Sequence, residues 1–381
     1  MNQHPKVETV KKKKIAIYYP FFTGGGAEAV ALWMLEALQT KYELTLFTIS
    51  EIDFPQLNSM YGTNLSRERV SVKTLLPKFW GNTAIFLISN NKDARQLSLH
   101  LLLRFFKAHK QDYDLVVSAY NAADLGKKGL QYIHWVKVIE GKNKIYQQIS
   151  NFSLQQLQAN ISLANSHTVA AAVKQTYGIE SEVVYPPVVL KVSEIPWDKK
   201  ENAFICSGRL VKAKQPHKAI TVLKQVRDRG FEVKLYLTGG GGGIYEWKYQ
   251  RFLKQMVAAN SSWVKLYENL AYEDYSQILY QCKYGIHLKS EPFGISIAEM
   301  VKAGAIPFVK KRGGQVEIVG KDNTDLLFDN EQEAVEKIVA VLNSPERQQK
   351  LLESLAQEQL LFSTDRFMNN ITKVVDRYFT E

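Results

Sequence analysis

The stretch Ser290-Glu291-Pro292-Phe293-Gly294-Ile295-Ser296-Ile297-Ala298-Glu299 decides how the chain folds. It follows an apolar run, Tyr284-Gly285-Ile286-His287-Leu288, that reads as a buried parallel strand, and it leads into Ile295 to Lys302, which reads as a helix. The loop therefore lies at the carboxyl end of a strand, where open α/β sheets bind their ligands. Pro292 and Gly294 deny it helical geometry until Ile295, leaving several backbone N–H groups unpaired at a positive helix end, a seat for phosphate. Glu291 in the loop and Glu299 about a turn into the helix can face one crevice, each able to grip a pair of neighbouring hydroxyls. Such a set suits a ligand that is polyhydroxylated and phosphorylated. The plainer account is a capped strand-to-helix junction with two solvated glutamates, and the rest of the chain decides between them.

The E-x7-E spacing inside S-E-P-F-G-I-S-I-A-E-M resembles the donor-binding signature of retaining glycosyltransferases of family 4; Glu291, Phe293, Gly294 and Glu299 match its pattern. The resemblance implies an α/β protein of the GT-B fold, two Rossmann-like domains with parallel sheets facing a central cleft. It also implies that Glu291 binds sugar hydroxyls, Glu299 the ribose, and the N–H groups of Phe293, Gly294 and Ile295 the distal phosphate.

A second motif supports this reading. Ser207-Gly208-Arg209-Leu210-Val211-Lys212-Ala213-Lys214 resembles the family's G-R-L-x-x-x-K, whose arginine and lysine hold the nucleotide diphosphate; Arg209 and Lys214 match it. Negative charge grows on the leaving oxygens as a sugar departs, and fixed cations stabilise that transition state more than the ground state. Val264-Lys265-Leu266-Tyr267 resembles the strand whose end holds the nucleotide base, through the backbone of Tyr267 and an apolar neighbour, Leu270; Glu268 stands where the family commonly has glycine. Gly313-Gly314-x-x-Glu317 resembles the turn that follows. Further departures are Gln215, in place of a glycine after the lysine, and Pro186-Pro187-Val188 in place of Pro-Asn-Gly.

The first half opens with the strand Lys14 to Tyr19, the loop Phe22-Thr23-Gly24-Gly25-Gly26-Ala27-Glu28 and a helical pattern from Ala29 to Gln39. By resemblance, Gly25 and Gly26 let this domain approach the donor's phosphate. The same loop fits G-x-G-x-x-A at Gly24, Gly26 and Ala29, with Ser50-Glu51 a loose match for the acidic residue, so an NAD-dependent oxidoreductase is the competing reading. It leaves Arg209, Lys214, Glu291 and Glu299 unexplained. Residues 52–112 are less regular, with Pro55, Pro77 and Phe79-Trp80. Within them, Arg95 to Lys110 has helical periodicity with His100, Arg104 and Lys107 on one polar stripe, expected to face water or, alternatively, a membrane surface or lipid phosphate. Tyr132-Ile133-His134-Trp135 reads as a strand end, and the resemblance puts the imidazole of His134 on a hydroxyl of the donor sugar. Ile161 to Ser166 is another strand, with Ser166 expected to cap the helix Thr168 to Tyr177.

Prolines 186, 187 and 196 with Asp198-Lys199-Lys200-Glu201 mark a linker. The expected division is an acceptor-side domain over residues 1–188, rejoined by an amphipathic helix over about 363–381, and a donor domain over residues 189–362. Gly239 to Gly243 reads as a flexible loop. The 381 residues carry a net charge of +11, and residues 1–190 hold 21 lysines and arginines against 14 acids. Lys11 to Lys14 read as a solubility device, though a basic first half also suits an anionic membrane face. Cys206 and Cys282 fit no disulfide framework or metal spacing, and no run is long enough to span a membrane. The expectation is a cytoplasmic enzyme, peripheral at most on the inner membrane face, that moves a hexose from a UDP-sugar, UDP-glucose first by family frequency, to a saccharide or lipid-linked saccharide. No cofactor or metal is expected, since two cations already face the diphosphate and no acidic D-x-D run exists; no nucleic-acid partner is expected either. The overall resemblance implies bacterial polysaccharide synthesis, with a cyanobacterial envelope or exopolysaccharide enzyme in view. A catalytically degenerate GT-B subunit that only binds a partner is the non-enzymatic alternative.

Overall fold

Short apolar runs flanked by polar turns form two parallel sheets in a computed structural model that describes residues 12–22, 24–77, 88, 90–139, 141, 143–240 and 246–381. Lys11, Thr23, Phe79-Trp80 and Gly241 to Gly243 lie outside the described residues. The first sheet comprises β1 (Lys14–Tyr18), β2 (Glu43–Thr48), β3 (Val70–Thr74), β4 (Leu115–Ser118), β5 (Leu130–Ile133), β6 (Ile161–Ala164) and β7 (Glu182–Val183), in the order β3-β2-β1-β4-β5-β6-β7. The second comprises β8 (Glu201–Ser207), β9 (Lys234–Gly239), β10 (Val264–Glu268), β11 (Cys282–His287), β12 (Ile306–Lys310) and β13 (Leu327–Phe328), in the order β10-β9-β8-β11-β12-β13. Both orders reverse direction once, between β1 and β4 and between β8 and β11. Each reversal opens a crevice at the carboxyl ends of the strands.

Each sheet is buried between helices. Phe204, Ile286 and Phe308 lie in the core of the second, and Tyr18, Phe47 and Phe106 in that of the first. Gly285 in β11 is required by packing: a Cβ there would lie 2.4 Å from Met300 Sδ, so its absence lets the helix Ile295–Lys302 lie directly on the strand. That contact sets the height of the helix start above the sheet.

The chain divides into two compact units, Met1–Ile133 with Lys137–Ser162 and Ile371–Glu381, and His134–Val136 with Leu163–Asn370. The division thus falls earlier than residue 188. Hydrogen bonds explain this: Ser166 Oγ donates to Pro292 O at 2.7 Å, and Glu317 accepts from the backbone N–H of His167 and Thr168, both at 2.9 Å. The last helix, Thr364–Thr380, buries Phe367, Ile371, Val374 and Val375. In the first unit its Asp376 accepts from Lys41 at 2.6 Å and from the hydroxyl of Tyr42.

The polar stripe on the helix Lys92–Ala108 is a correction to the sequence reading. Arg104 is exposed, but His100 is fully buried and Lys107 is only 9% exposed. The helix Lys144–Ser150 covers them: His100 stacks on Tyr146 and its Nδ1 lies 3.2 Å from Ser150 Oγ. Lys107 Nζ donates to Asp124 at 2.7 Å and to the carbonyls of Ser150 and Asn151 at 2.8 and 3.1 Å. A buried ion pair with every donor used gives the same periodicity as a solvated face. Leu97 and Leu101, about 40% exposed, are the large apolar residues of this helix turned outward. No helix among the described residues is long and apolar enough to cross a membrane.

Candidate active site

At the end of β8 the chain turns through Gly208, with φ 138°, directly against the end of β9. Gly208 N–H donates to Thr238 O at 3.1 Å, Leu210 N–H to Gly240 O at 3.2 Å, and a Cβ on Gly239 would lie 1.9 Å from Gly208 O. Gly239 and Gly240 are therefore spacing residues between neighbouring strand ends rather than part of a flexible loop. The turn projects Arg209 outward, exposed, its carbonyl accepting from Val211 N–H at 2.8 Å and its side chain without a hydrogen bond or ion pair among the described residues. A short 3-10 turn, Lys212–Lys214, follows, and then Gln215 at φ 58°, preceding the helix Pro216–Asp228. The left-handed backbone at Gln215 explains why a glycine fits there, since a side chain costs about 1 kcal/mol in that region.

Lys214 Nζ reaches across to Glu291 Oε1 at 2.6 Å, with side chains 23% and 13% exposed. His287, at the end of β11, puts Nε2 3.6 Å from the same oxygen. Its Nδ1 lies 2.9 Å from Lys289 O, so the proton sits on Nδ1 and the neutral ring turns a bare Nε2 toward Glu291. Burial lowers the His287 pKa; Glu291 opposes that shift and Lys214 adds to it. The Glu291 loop is held from behind by Gln315, a buried residue absent from the sequence reading. Its side-chain oxygen accepts from Glu291 N–H at 2.6 Å and its NH2 donates to Lys289 O and Lys310 O at 3.0 and 3.2 Å. Gly313 and Gly314 make this contact possible, because a Cβ on either would lie within 2.4 Å of a carbonyl oxygen of Glu291 or Pro292. Position in the G-G-x-x-E turn was the only signal for Gln315.

Gly294, at φ 113°, starts the helix Ile295–Lys302. The N–H groups of Phe293, Gly294, Ile295 and Ser296 have no partner among the described residues, which leaves an open row of donors at a positive helix end. The Phe293 ring is buried against Tyr185 and Phe362, so its side chain anchors the loop while its N–H stays open. A turn further on, Glu299 accepts from Tyr275 Oη at 2.9 Å and from Tyr272 Oη at 3.3 Å. Burial raises its pKa to about 7 against the opposing effect of both hydroxyls and Lys302. Both tyrosines escaped the sequence reading, because an i, i+3 aromatic pair on a helix looks like core.

At the end of β10, Tyr267 lies edge-on to Tyr236, and Glu268 is paired with Lys254 at 2.7 Å. Asn269 follows at φ 54°, its N–H on Gly239 O at 2.9 Å, and leads to the half-buried Leu270. His134 is buried, its carbonyl accepting from Asn165 Nδ2 at 3.0 Å. Ser166 caps the helix His167–Tyr177 through Val169 N–H, as expected.

Gly25 and Gly26 belong to the other unit, before and at the start of the helix Gly26–Leu38. Here the buried Glu28 bends back onto the loop. It accepts from Gly24 N–H at 2.6 Å and from Tyr61 Oη at 2.9 Å, and that hydroxyl accepts from Gly25 N–H at 3.1 Å. A dinucleotide fingerprint needs such N–H groups directed at a pyrophosphate, whereas these meet a carboxylate and the tyrosine hydroxyl bonded to it. Glu51, the loose ribose match, is ion-paired with Arg67. The oxidoreductase reading has no support from this loop.

The family model described as glycosyl transferases group 1 matches residues 191–357. A GDP-Man:Man(3)GlcNAc(2)-PP-Dol alpha-1,2-mannosyltransferase of Dictyostelium discoideum is 24% identical over 249 residues, 61% of this chain and 49% of that protein. The chain thus spans about half the length of that curated relative. Among solved structures, Anabaena HepE in complex with UDP and glucose has a TM-score of 0.71 at 17% identity, covering 96% of this chain and all of that one. WaaG, a glycosyltransferase involved in lipopolysaccharide biosynthesis, has a TM-score of 0.64 at 14% identity, covering 94% and 99%. Sucrose-phosphate synthase from Thermosynechococcus elongatus has a TM-score of 0.68 at 15% identity, covering 97% and 100%. The chain therefore has the GT-B fold, and its residues 191–357 match the family model of the glycosyl transferases group 1.

Proposed function

We propose that the protein moves a hexose from a nucleotide-diphosphate sugar to a saccharide or lipid-linked saccharide hydroxyl, with retention of anomeric configuration and without a metal. The observation that carries the reading is the Lys214–Glu291 pair beside the unpartnered Arg209 and the open N–H row of Phe293 to Ser296. All of them stand past the carboxyl ends of β8 and β11, where the sheet order reverses.

A diphosphate entering there exchanges partners with the protein. Lys214 passes from Glu291 to the phosphate, Glu291 turns to sugar hydroxyls, Arg209 binds the same diphosphate bidentately, and the helix start takes the distal phosphate. The bond from the anomeric carbon to the phosphate oxygen then breaks as the bond to the acceptor oxygen forms on the same face. The departing phosphate oxygen takes the acceptor's proton, and the two cations stabilise its growing charge. Glu299 holds the ribose, the backbone at Tyr267 with Leu270 holds the base, and His134 a sugar hydroxyl. Polysaccharide or glycolipid synthesis is the setting; a lipid-linked acceptor would bring the basic first half to an anionic membrane surface.

UDP-glucose is the first donor to test, since HepE was solved with UDP and glucose. The mannosyltransferase relative supports a second donor, a GDP-linked mannose. Calorimetric titration with UDP, GDP and NAD in the presence of EDTA tests the site, and NMR of the product formed from UDP-glucose or GDP-mannose tests the stereochemistry. Binding of NAD alone, or a product of inverted configuration, would overturn the reading.

A further inference from the structure

We infer that Lys200 is a positioning residue for the nucleotide site, joining the carboxyl-terminal ends of the helix that carries Glu299 and of the helix whose tyrosines bond to it. The inference rests on the proposed role of Glu299 toward the ribose.

Lys200 lies just before β8 and is 6% exposed. Its Nζ donates to Tyr280 O and, at 2.8 Å, to Ala303 O, with Ser193 Oγ at 3.4 Å. Tyr280 and Ala303 stand at the carboxyl-terminal ends of the helices Tyr272–Gln281 and Ile295–Lys302. Helix ends of this kind carry orphan carbonyls and a partial negative charge, so one ammonium satisfies both. At the opposite end of the first of these helices, Tyr272 and Tyr275 donate to Glu299, which stands one turn before Ala303 on the second. Ala303 N–H also donates to Glu299 O at 2.8 Å, so a chain of two hydrogen bonds leads from the ammonium to the residue that carries the carboxylate. The chain then turns away through Gly304 at φ 74°, a Cβ position 3.7 Å from Lys200 Cε, which leaves the lysine enclosed.

The helix Tyr272–Gln281 is therefore fastened to the helix Ile295–Lys302 at both of its ends, by the carboxylate at one and by the ammonium at the other. Burial lowers the Lys200 pKa to about 8, so the fastening is charged at neutral pH. Without it two helix-end carbonyls lose their donor, and the helix Tyr272–Gln281 shifts along the sheet against the helix Ile295–Lys302, whose start is held by the buried Phe293 ring and by Gln315. Such a shift changes how Tyr272 and Tyr275 orient Glu299, while Lys214 stays on Glu291 and the loop before Gly294 keeps its own contacts.

The test compares UDP with inorganic pyrophosphate, which lacks the ribose, by calorimetry on the full chain. Lys200→Met is expected to weaken UDP about 5–20-fold while pyrophosphate stays within about twofold, and to add little to the loss caused by Glu299→Gln in the double variant. Lys200→Arg, which keeps the charge, is expected to retain the fold and show the same selectivity at a smaller factor. Equal loss for both ligands, no loss in either variant, or full additivity with Glu299→Gln overturns the inference. Absence of UDP binding to the unaltered protein, or equal affinity in Glu299→Gln, overturns the nucleotide reading of the site and with it the role of Lys200.

Discussion

The hydroxyl of Tyr275 donates to Glu299 Oε2 at 2.9 Å, and burial around the pair raises the Glu299 pKa to about 7. A carboxylate in this range is a switchable acceptor for the two hydroxyls of a ribose. The ionised form accepts from both, so UDP affinity is expected to rise from about pH 6 to about pH 8 and to flatten in Glu299→Gln. Stability runs the other way. Between its unfolded value, 4.5, and about 7 the folded chain holds a proton that the unfolded chain has released, so stability falls as pH rises through that window. The full shift corresponds to at most about 3 kcal/mol. Urea midpoints measured across the window should fall in the unaltered protein more than in Glu299→Gln; coincident curves would remove Glu299 as the titrating group.

Arg209 is exposed and its side chain makes no hydrogen bond or ion pair among the described residues, so truncating it should leave the melting curve in place. A cation that acts mainly on the developing charge of the leaving group should cost turnover instead. Arg209→Ala is expected to lower kcat by about 100-fold or more. Steady-state rates beside a thermal melt decide it: unchanged kcat in a normally folded variant would remove Arg209 from the diphosphate.

Lys214 and Glu291 neutralise each other at 2.6 Å before any ligand arrives. Glu291→Gln takes away that counter-charge, so UDP should bind as tightly as before or about 2–5-fold tighter. The extra affinity contributed by the sugar of UDP-glucose should shrink, and turnover should fall about 100-fold. Comparing the two dissociation constants by calorimetry separates these effects. Parallel loss of UDP and UDP-glucose binding would mean that Glu291 serves only to hold Lys214 in place.

What could be read from the sequence was local. The strand, loop and helix around Glu291 follow from an apolar run, a proline and a glycine, and the two charged motifs come to the ends of neighbouring strands because β8 and β11 pair at the switch of the sheet. The supporting residues were not legible, because their partners are distant in sequence. Glu317 was placed in a glycine turn, but nothing near it reveals that its carboxylate caps a helix start about 150 positions earlier. Tyr272, Tyr275 and Gln315 look like core or turn until the fold brings a polar atom to each. Period alone also misplaced Lys107, because a helix face that is charged every few residues can be closed by a carboxylate on another element.

That closure makes Lys107 the most direct test of the first unit. Its Nζ is 2.7 Å from Asp124, whose oxygens also accept from Gly126 N–H at 2.7 Å and Ser153 N–H at 2.8 Å. Lys107→Met removes the cation and leaves a carboxylate, 2% exposed, among neutral donors. Removing one partner of a buried pair costs about 3–5 kcal/mol, because the other charge stays behind without compensation. In a unit of this size the melting temperature should drop by about 10 °C. Arg104→Met, one turn earlier on the exposed side, should move it by no more than about 1–2 °C. Adding Asp124→Asn to Lys107→Met should restore part of the loss, since the charge left behind is then gone while one acceptor remains for Gly126 or Ser153. If Lys107→Met and Arg104→Met melt alike, the stripe faces water after all and the helix Lys144–Ser150 does not cover it.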